Sequence, residues 1–419
     1  MTVDTNKTAK PRMQIPPEIS ALLAALQLQE PDTTLLKTLG DQEWRRLLVF
    51  SDAAQLTLLI GLLPLDSVPN WVLERVNGNL TDNALRFERI KSTYREAADV
   101  LAKAGVEHIV IKGFTQAPDY VVDPTFRSQS DLDLLFRSRE DIEAARGALH
   151  AIGYRSLDTI EALGDHEPAL ERLDGWQWRG NRFDPEMPLQ IELHFCLWNE
   201  KVSLIRIPEV SLFWERRTRR EVAGLSFPCL NPVDHFGHLA IHLLRNILHR
   251  GRIIRQLREL AVFLHTRAND ETFWQCWSTT HSLSLRSFQA IAFYYARAWF
   301  GCQLNPHVER AISSLAAARR SWLDRFSSSS LGDMFQDNKD NLWLHLTFLS
   351  LPIQRWKVIR QTLIPPRLPY GSLAVQRLSR SDKDHPVRQY IAYLIPRTTS
   401  HLHANVSTLS HGLSWYLSC

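Results

Sequence analysis

From Pro17 to about Gly105, apolar positions recur at three- and four-residue spacing in ISALLAALQL, DQEWRRLLVF and ALRFERIKSTYREAADVLAKAG. That spacing predicts helices, the last of them ended by Gly105. The period then changes. VEHIVIKG is rich in β-branched residues and closes on Gly113, the pattern of a buried strand followed by a turn. FTQAPDYVV predicts a short helix or turn. DPTFRSQS predicts a loop, because Asp123-Pro124 disfavours helix and serines suit turns. DLDLLF follows as a strand, and Ser138 with Asp141 opens a helix over EDIEAARGALHAIG that ends at Gly153.

Further on, RLDGWQWRG and MPLQIELHF predict strands, and TRREVAGLSFPCL predicts a hairpin turning at Ala223-Gly224. After Asn231-Pro232 the pattern is helical to about Trp322, and the serine run Ser327–Ser330 suits a linker. The economical fold class is α/β (α+β), a mixed sheet flanked by N-terminal and C-terminal helical regions. Residues 1–16 are expected to be a disordered leader and 17–105 an N-terminal helical region. The core is expected at 106–230, a helical domain at 231–326 and a basic helical region at 331–419.

Composition alters little in this picture. Over 419 residues, 49 Lys and Arg face 45 Asp and Glu, so the net charge of +4 is too small to imply nucleic-acid binding by itself. The five cysteines, Cys196, Cys229, Cys276, Cys302 and Cys419, form no C-x-x-C pair, which suits a reduced cytoplasmic chain without a zinc site or disulfide framework. MTVDTNKTAKPRMQIPPE lacks the apolar core of a signal peptide, and no apolar run reaches the ~20 residues of a membrane span. Neither export nor membrane insertion is expected.

The chemistry concentrates in FRSQSDLDLLF. Asp131 and Asp133 are i and i+2 on a strand and share one face, while Leu132, Leu134 and Phe136 take the other. At ~6–7 Å two carboxylates repel by only about 0.6 kcal/mol in water but by roughly 2–2.5 kcal/mol at an effective dielectric near 20. A solvated face tolerates the pair, whereas a cleft demands a cation. In QIELHF, Glu192 and His194 alternate against Ile191, Leu193 and Phe195, so a second strand presents a carboxylate from an apolar backing. Three carboxylates on two strands suit one or two magnesium ions, which prefer oxygen ligands and bridge to substrate phosphates. Upstream, the lack of a Cβ at Gly113 would let a triphosphate approach the backbone, and Lys112 and Arg127 add cations.

The order strand-Lys112-Gly113, Arg127, Asp131-Leu132-Asp133-Leu134-Leu135, Gly153-Tyr154, then Glu192-Leu193-His194-Phe195 resembles the nucleotidyltransferase fold of the polymerase-beta type. More narrowly, it is similar to a bacterial family of uncharacterised nucleotidyltransferases. The resemblance covers about Val106 to Phe195 and extends more loosely into DHFGHLAIHLLRNILHR. It implies transfer of a nucleoside monophosphate from a nucleoside triphosphate, ATP among them, to a hydroxyl-bearing acceptor that is a small molecule, peptide or protein. It implies two Mg2+ ions, with Mn2+ the alternative, held by Asp131, Asp133 and Glu192, the last also a candidate base. Lys112, Gly113, Arg127 and Ser130 would contact the nucleotide, and His194 would orient a ligand from behind. The chain departs from the pattern at Phe114, where a second glycine or serine is common, and at Glu192, where many relatives carry aspartate. An inactive nucleotide-binding or regulatory protein of the same fold, and an RNA-modifying transferase, are the other readings.

Three further clusters stand apart. His235, His238 and His242 share a helical face and are either packed histidines or a metal site. The run ERRTRRE suits a solvated hairpin edge. The basic tail, in which Arg355, Lys357, Arg360, Arg367, Arg377, Arg380, Lys383, Arg388 and Arg397 interleave with Trp356, Tyr370, Tyr390 and Tyr393, is a candidate nucleic-acid contact.

Overall fold

The computed structural model describes residues 15–157, 164–172, 175–249, 251, 253–327, 338–365 and 386–417. Most of the expected leader, Ser328–Ser330 of the linker, and Arg367, Tyr370, Arg377, Arg380 and Lys383 of the basic tail lie outside the described residues, as do the side chains of Arg388, Tyr390 and Tyr393. The chain divides into two compact units, one of residues 21–244 and 252–314 and one of residues 1–20, 245–251 and 315–419.

Among the described residues the larger unit holds seven strands, β1 (Ile109–Ile111), β2 (Asp131–Leu135), β3 (Arg155–Ser156), β4 (Leu170–Glu171), β5 (Gln190–His194), β6 (Thr218–Val222) and β7 (Leu225–Cys229). They form one mixed sheet in the order β3-β4-β5-β2-β1-β7-β6. β1 runs antiparallel to β2, and β2 runs parallel to β5. Strand alternation decides what each face does. Leu132, Leu134, Ile191 and Leu193 join a buried cluster with Phe87, Ile90, Tyr94, Ala97 and Leu101 of the helix Asn70–Lys103, and with Ile142, Ala145 and Leu149 of the helix Arg139–Ala151. The polar residues between those leucines therefore face the other way, where the site lies.

Local signals account for the boundaries. Ser138 caps the helix Arg139–Ala151 by accepting from the Asp141 N–H. In the hairpin β6–β7, Val222 pairs with Leu225, and Ala223 and Gly224 both have positive φ, 48° and 73°, as a two-residue turn between twisted strands requires. One expected strand is corrected. In Arg172–Gly180, residues Gly175–Gly180 are irregular, because Gly175 and Gly180 sit at φ 76° and 83° and Trp176 Nε1 donates to Asp184 Oδ2 rather than joining a ladder.

Arg86 of the helix Asn70–Lys103 is 1% exposed and donates to the carbonyls of Gln129, Asp184 and Met187 at 2.8, 3.2 and 2.7 Å. It thereby ties together the segments that lead into β2 and β5, and so helps set the register of the two strands that carry the acidic residues. Burial pulls its guanidinium down to about 10.

After the sheet come α-helices Pro232–Leu248, Ile254–Thr266, Glu271–Thr280, Leu283–Phe300 and Pro306–Ser313. Asn231 starts the first by accepting from the N–H groups of Val233 and Asp234. Phe236, Phe263 and Phe293 stack in series, with Trp274 and Trp277 edge-on to Phe236. This helical layer meets the 113–127 segment, where the Tyr120 ring stacks on Phe263 at 4.5 Å between centroids. Among the described residues no helix is long and apolar enough to cross a membrane.

Candidate active site

The parallel pairing of β2 with β5 places Asp131 opposite Gln190 and Asp133 opposite Glu192. Asp131, Asp133, Glu192 and His194 thus share the face opposite the leucine cluster. His194 Nε2 lies 2.9 Å from Asp133 Oδ1 and 3.3 Å from Glu192 Oε2. One ligand atom from each of Asp133, Glu192 and His194 falls within 4.8 Å of the others, and among the described residues this is the one such group of acidic, histidine or cysteine side chains. Asp131 completes the acidic face: its carboxyl is pushed up to about 6 by burial first, then by the charges of Asp133 and Glu192.

Of the two settings open to the aspartate pair, a solvated face and a cleft, Asp133 occupies the second, for it is only 3% exposed. Lys112 covers it. The chain leaves β1 at Ile111, which pairs with Asp133, and the next residue, Lys112, adopts φ 58°, ψ −158°. That region is essentially reserved for glycine and costs of order 1–3 kcal/mol, so it persists only where the surroundings impose it. Gly113 follows at φ 58°. The double turn carries the Lys112 ammonium onto Asp133 Oδ1. Burial acts to lower the Lys112 ammonium, but the charges of Asp133, Glu192 and Asp131 raise it overall. Burial likewise acts to raise Asp133, yet Lys112 and the hydrogen bond from His194 hold its carboxyl well below the usual carboxylate range. His194 is held above its ordinary value: burial and Lys112 oppose the proton, while its hydrogen bonds to Asp133 and Glu192 outweigh them.

Gly113 does not present an open corner. A Cβ there would collide with the Gln129 side chain, whose Nε2 donates to the Asp131 carbonyl at 2.6 Å. The glycine is needed for close packing and for its backbone conformation. The turn after it, Gly113–Gln116, is a single 3-10 turn, and Phe114 is buried edge-on against Tyr94 and Phe227. Ser130 precedes Asp131, and its carbonyl accepts from the Gln190 N–H at 3.1 Å. The Arg127 side chain is 8% exposed and donates through Nε to Glu259 Oε1 of the helix Ile254–Thr266 at 3.0 Å, where Arg255 Nη1 also donates, at 2.6 Å. Burial and the neighbouring Arg255 charge lower the Arg127 guanidinium. Arg127 therefore joins the sheet to the helical layer above the site. Between them Lys112, Gln116, Tyr120, Arg127, His242 and Glu259 line a narrow cavity of about 30 Å³.

Three neighbours escaped the sequence reading. Asp165 Oδ2 lies 4.0 Å from His194 Nδ1, on the side away from Asp133. His166 Nδ1–H donates to the Glu167 carbonyl at 2.7 Å, which turns Nε2 toward Glu192 Oε2 at 3.8 Å. Glu259 is the third. Asp165-His166 adjoin within a polar loop and Glu259 sits in an ordinary helical pattern, so nothing in their spacing ties them to β2. Of the histidines on the helix Pro232–Leu248, His235 bonds the Thr115 hydroxyl at 3.1 Å, and burial lowers its imidazole to about 3. ERRTRRE is only partly solvated, because Arg216 clamps Asp234 and Arg220 donates to the Thr115 and Ala117 carbonyls.

The donor set suits a divalent cation. Asp133 and Glu192 bring a carboxylate each to the His194 imidazole, while Asp131 lies outside that trio on the same face of the sheet. The sequence model of a family described as uncharacterised nucleotidyltransferase matches residues 40–301, more than half of the chain. No curated protein and no solved structure matches it.

Proposed function

The chain belongs to this uncharacterised nucleotidyltransferase family, and on that premise we propose that it moves a nucleoside monophosphate from a nucleoside triphosphate to a hydroxyl-bearing acceptor with the help of divalent metal. The observation that carries the reading is the pairing of Asp133 with Glu192 across parallel strands, with Asp131 and His194 on the same face. Asp133 and Glu192 would hold the ion, with Asp131 as the third carboxylate and Mg2+ or Mn2+ the candidate species. Bound metal would neutralise phosphate charge and lower the pKa of an attacking hydroxyl. His194 keeps Asp133 oriented through its 2.9 Å hydrogen bond. Glu192, partly exposed at the mouth of the cluster, is placed to accept the acceptor's proton. Lys112 holds the acidic face together until a cation arrives, then is available to a phosphate oxygen. Arg127, committed to Glu259, serves to fix the loop that precedes β2.

Incubating the protein with each triphosphate and Mg2+ or Mn2+ should release pyrophosphate once an acceptor-containing extract is added, with label passing to a new molecule. Nucleotide binding without any pyrophosphate under every combination would favour the inactive, regulatory reading instead.

Acid should weaken metal binding before it unfolds the protein. Asp131 carries a proton below about 6, and that proton must leave before the carboxylate can ligate. Calorimetric titration with Mn2+ in buffers of different ionisation enthalpy should show proton release on binding at pH 5.5 and little at pH 8. Equal proton release at both values would remove Asp131 from the ligand set.

A further inference from the structure

Among the described residues, the helix Pro386–Tyr416 of the smaller unit has one apolar face that is packed and a second that is exposed. On the inner face Ala404, Thr408 and Trp415 are buried. Gly412 lies against the Trp343 ring, and Trp343 Nε1 donates to the Thr408 carbonyl at 3.0 Å. On the opposite face Ile395, Leu402, Val406, Leu409, Leu413 and Tyr416 are between 48% and 77% exposed.

Those six residues are not scattered. Ile395, Leu402, Leu409 and Tyr416 are spaced by seven, and Thr399, Val406 and Leu413 fall four residues after the first three of them. This is a heptad seam three repeats long, with Ile, Leu, Leu and Tyr at d and Thr, Val and Leu at a, about 33 Å of helix. A seven-residue period suits another helix of the same period rather than a flat or irregular surface. We propose that this seam is a self-association surface, paired with the same helix of a second copy of the chain.

Three observations favour a second copy over other occupants. β-branched side chains at a with leucine at d favour two strands, and here Thr399 and Val406 stand at a while Leu402 and Leu409 stand at d. From Thr398 to Leu417 there is no Asp, Glu, Lys or Arg. The seam therefore lacks the flanking charges that would select a different helix, and lacks the cations that hold an amphipathic helix on an anionic membrane. Each exposed side chain offers roughly 100 Å², so two copies would cover roughly 1,300 Å² in all, inside the range of stable interfaces. The helix is already docked on its own unit, so pairing need not order it.

Sedimentation velocity and light scattering on the full chain should give twice the 48.3 kDa monomer mass at micromolar concentration, and the melting temperature should rise with protein concentration. The double variant Leu402→Glu, Leu409→Glu should halve the mass without altering far-ultraviolet circular dichroism, since both side chains are exposed. Ile353→Glu, an exposed apolar residue outside the seam, should leave the mass of the dimer unchanged. A wild-type monomer, as would result if residues 366–385 of the same chain or a lipid covered the seam, overturns the proposal. So does a double variant that stays dimeric, or an Ile353→Glu variant that becomes monomeric.

Discussion

Asp133→Asn should reduce nucleotide transfer by at least about 10³-fold and abolish detectable metal binding while leaving the protein folded. The size follows from what a bound cation contributes. Several kcal/mol of charge stabilisation at the transferring phosphoryl group corresponds, at about 1.4 kcal/mol per tenfold, to three orders of magnitude or more. Asp133 is the residue on which the rest of the cluster depends. It faces Glu192 across the strands, takes the Lys112 ammonium and takes the His194 hydrogen bond on the same oxygen. Asparagine keeps an oxygen for both donors and removes only the charge, so the loss of function should exceed the loss of stability.

The acid limb provides a second check on that variant. A carboxyl depressed in the folded state stabilises it above the unfolded pKa, near 3.8, and this contribution disappears as pH falls through the lower folded value. Wild type should therefore lose stability below about pH 4 more steeply than Asp133→Asn. Identical acid melting curves, or a purified variant with full transfer activity, would sink the assignment of Asp133.

Lys112→Met should behave in the opposite sense toward metal. Without divalent ions the variant leaves the acidic face uncompensated, and breaking a buried pair of this kind costs about 3 kcal/mol. The Lys112 side chain is 15% exposed and that of Asp133 is 4% exposed, so water offers little relief. A divalent cation supplies the missing charge. Added Mg2+ or Mn2+ should then raise the melting temperature of Lys112→Met by more than it raises that of wild type, and the apparent metal affinity should increase. An equal shift in both proteins would mean that the ammonium and the ion do not share this place. Lys112→Gly separates charge from backbone: it loses the same pair but relaxes the φ 58°, ψ −158° conformation. It should therefore be less destabilised than Lys112→Met by roughly 1–3 kcal/mol.

Much of the site was legible in the linear pattern because strand alternation is a local rule. D-L-D-L-L and I-E-L-H each declare which side chains share a face, and that face is acidic in both strands. The hairpin at Ala223-Gly224, the cap at Ser138 and the start of the helix Pro232–Leu248 were equally local, each resting on a few adjacent residues. Arg172–Gly180 misled because its alternating tryptophans imitate a strand, while two glycines at positive φ and a side-chain bond to Asp184 oppose one. The partners of the predicted cations were hidden for a different reason. Arg127 meets Glu259 across 132 positions, and no periodicity records such a contact.

By itself the sequence determined the strands and helices around the site, the shared face of Asp131 and Asp133, the matching face of Glu192 and His194, and the order of motifs that marks the family. Those follow from backbone geometry acting over two to four residues. Only the tertiary structure decided that Asp133 lies beside Glu192, that Lys112 covers it, that Gly113 is filled by Gln129, and that Asp165 and His166 stand behind the cluster. Sheet register and buried charge pairing are set by the whole core at once, through the leucine packing on one face and the clamp of Arg86 on the approaching loops, so they have no signature in any single stretch of the chain.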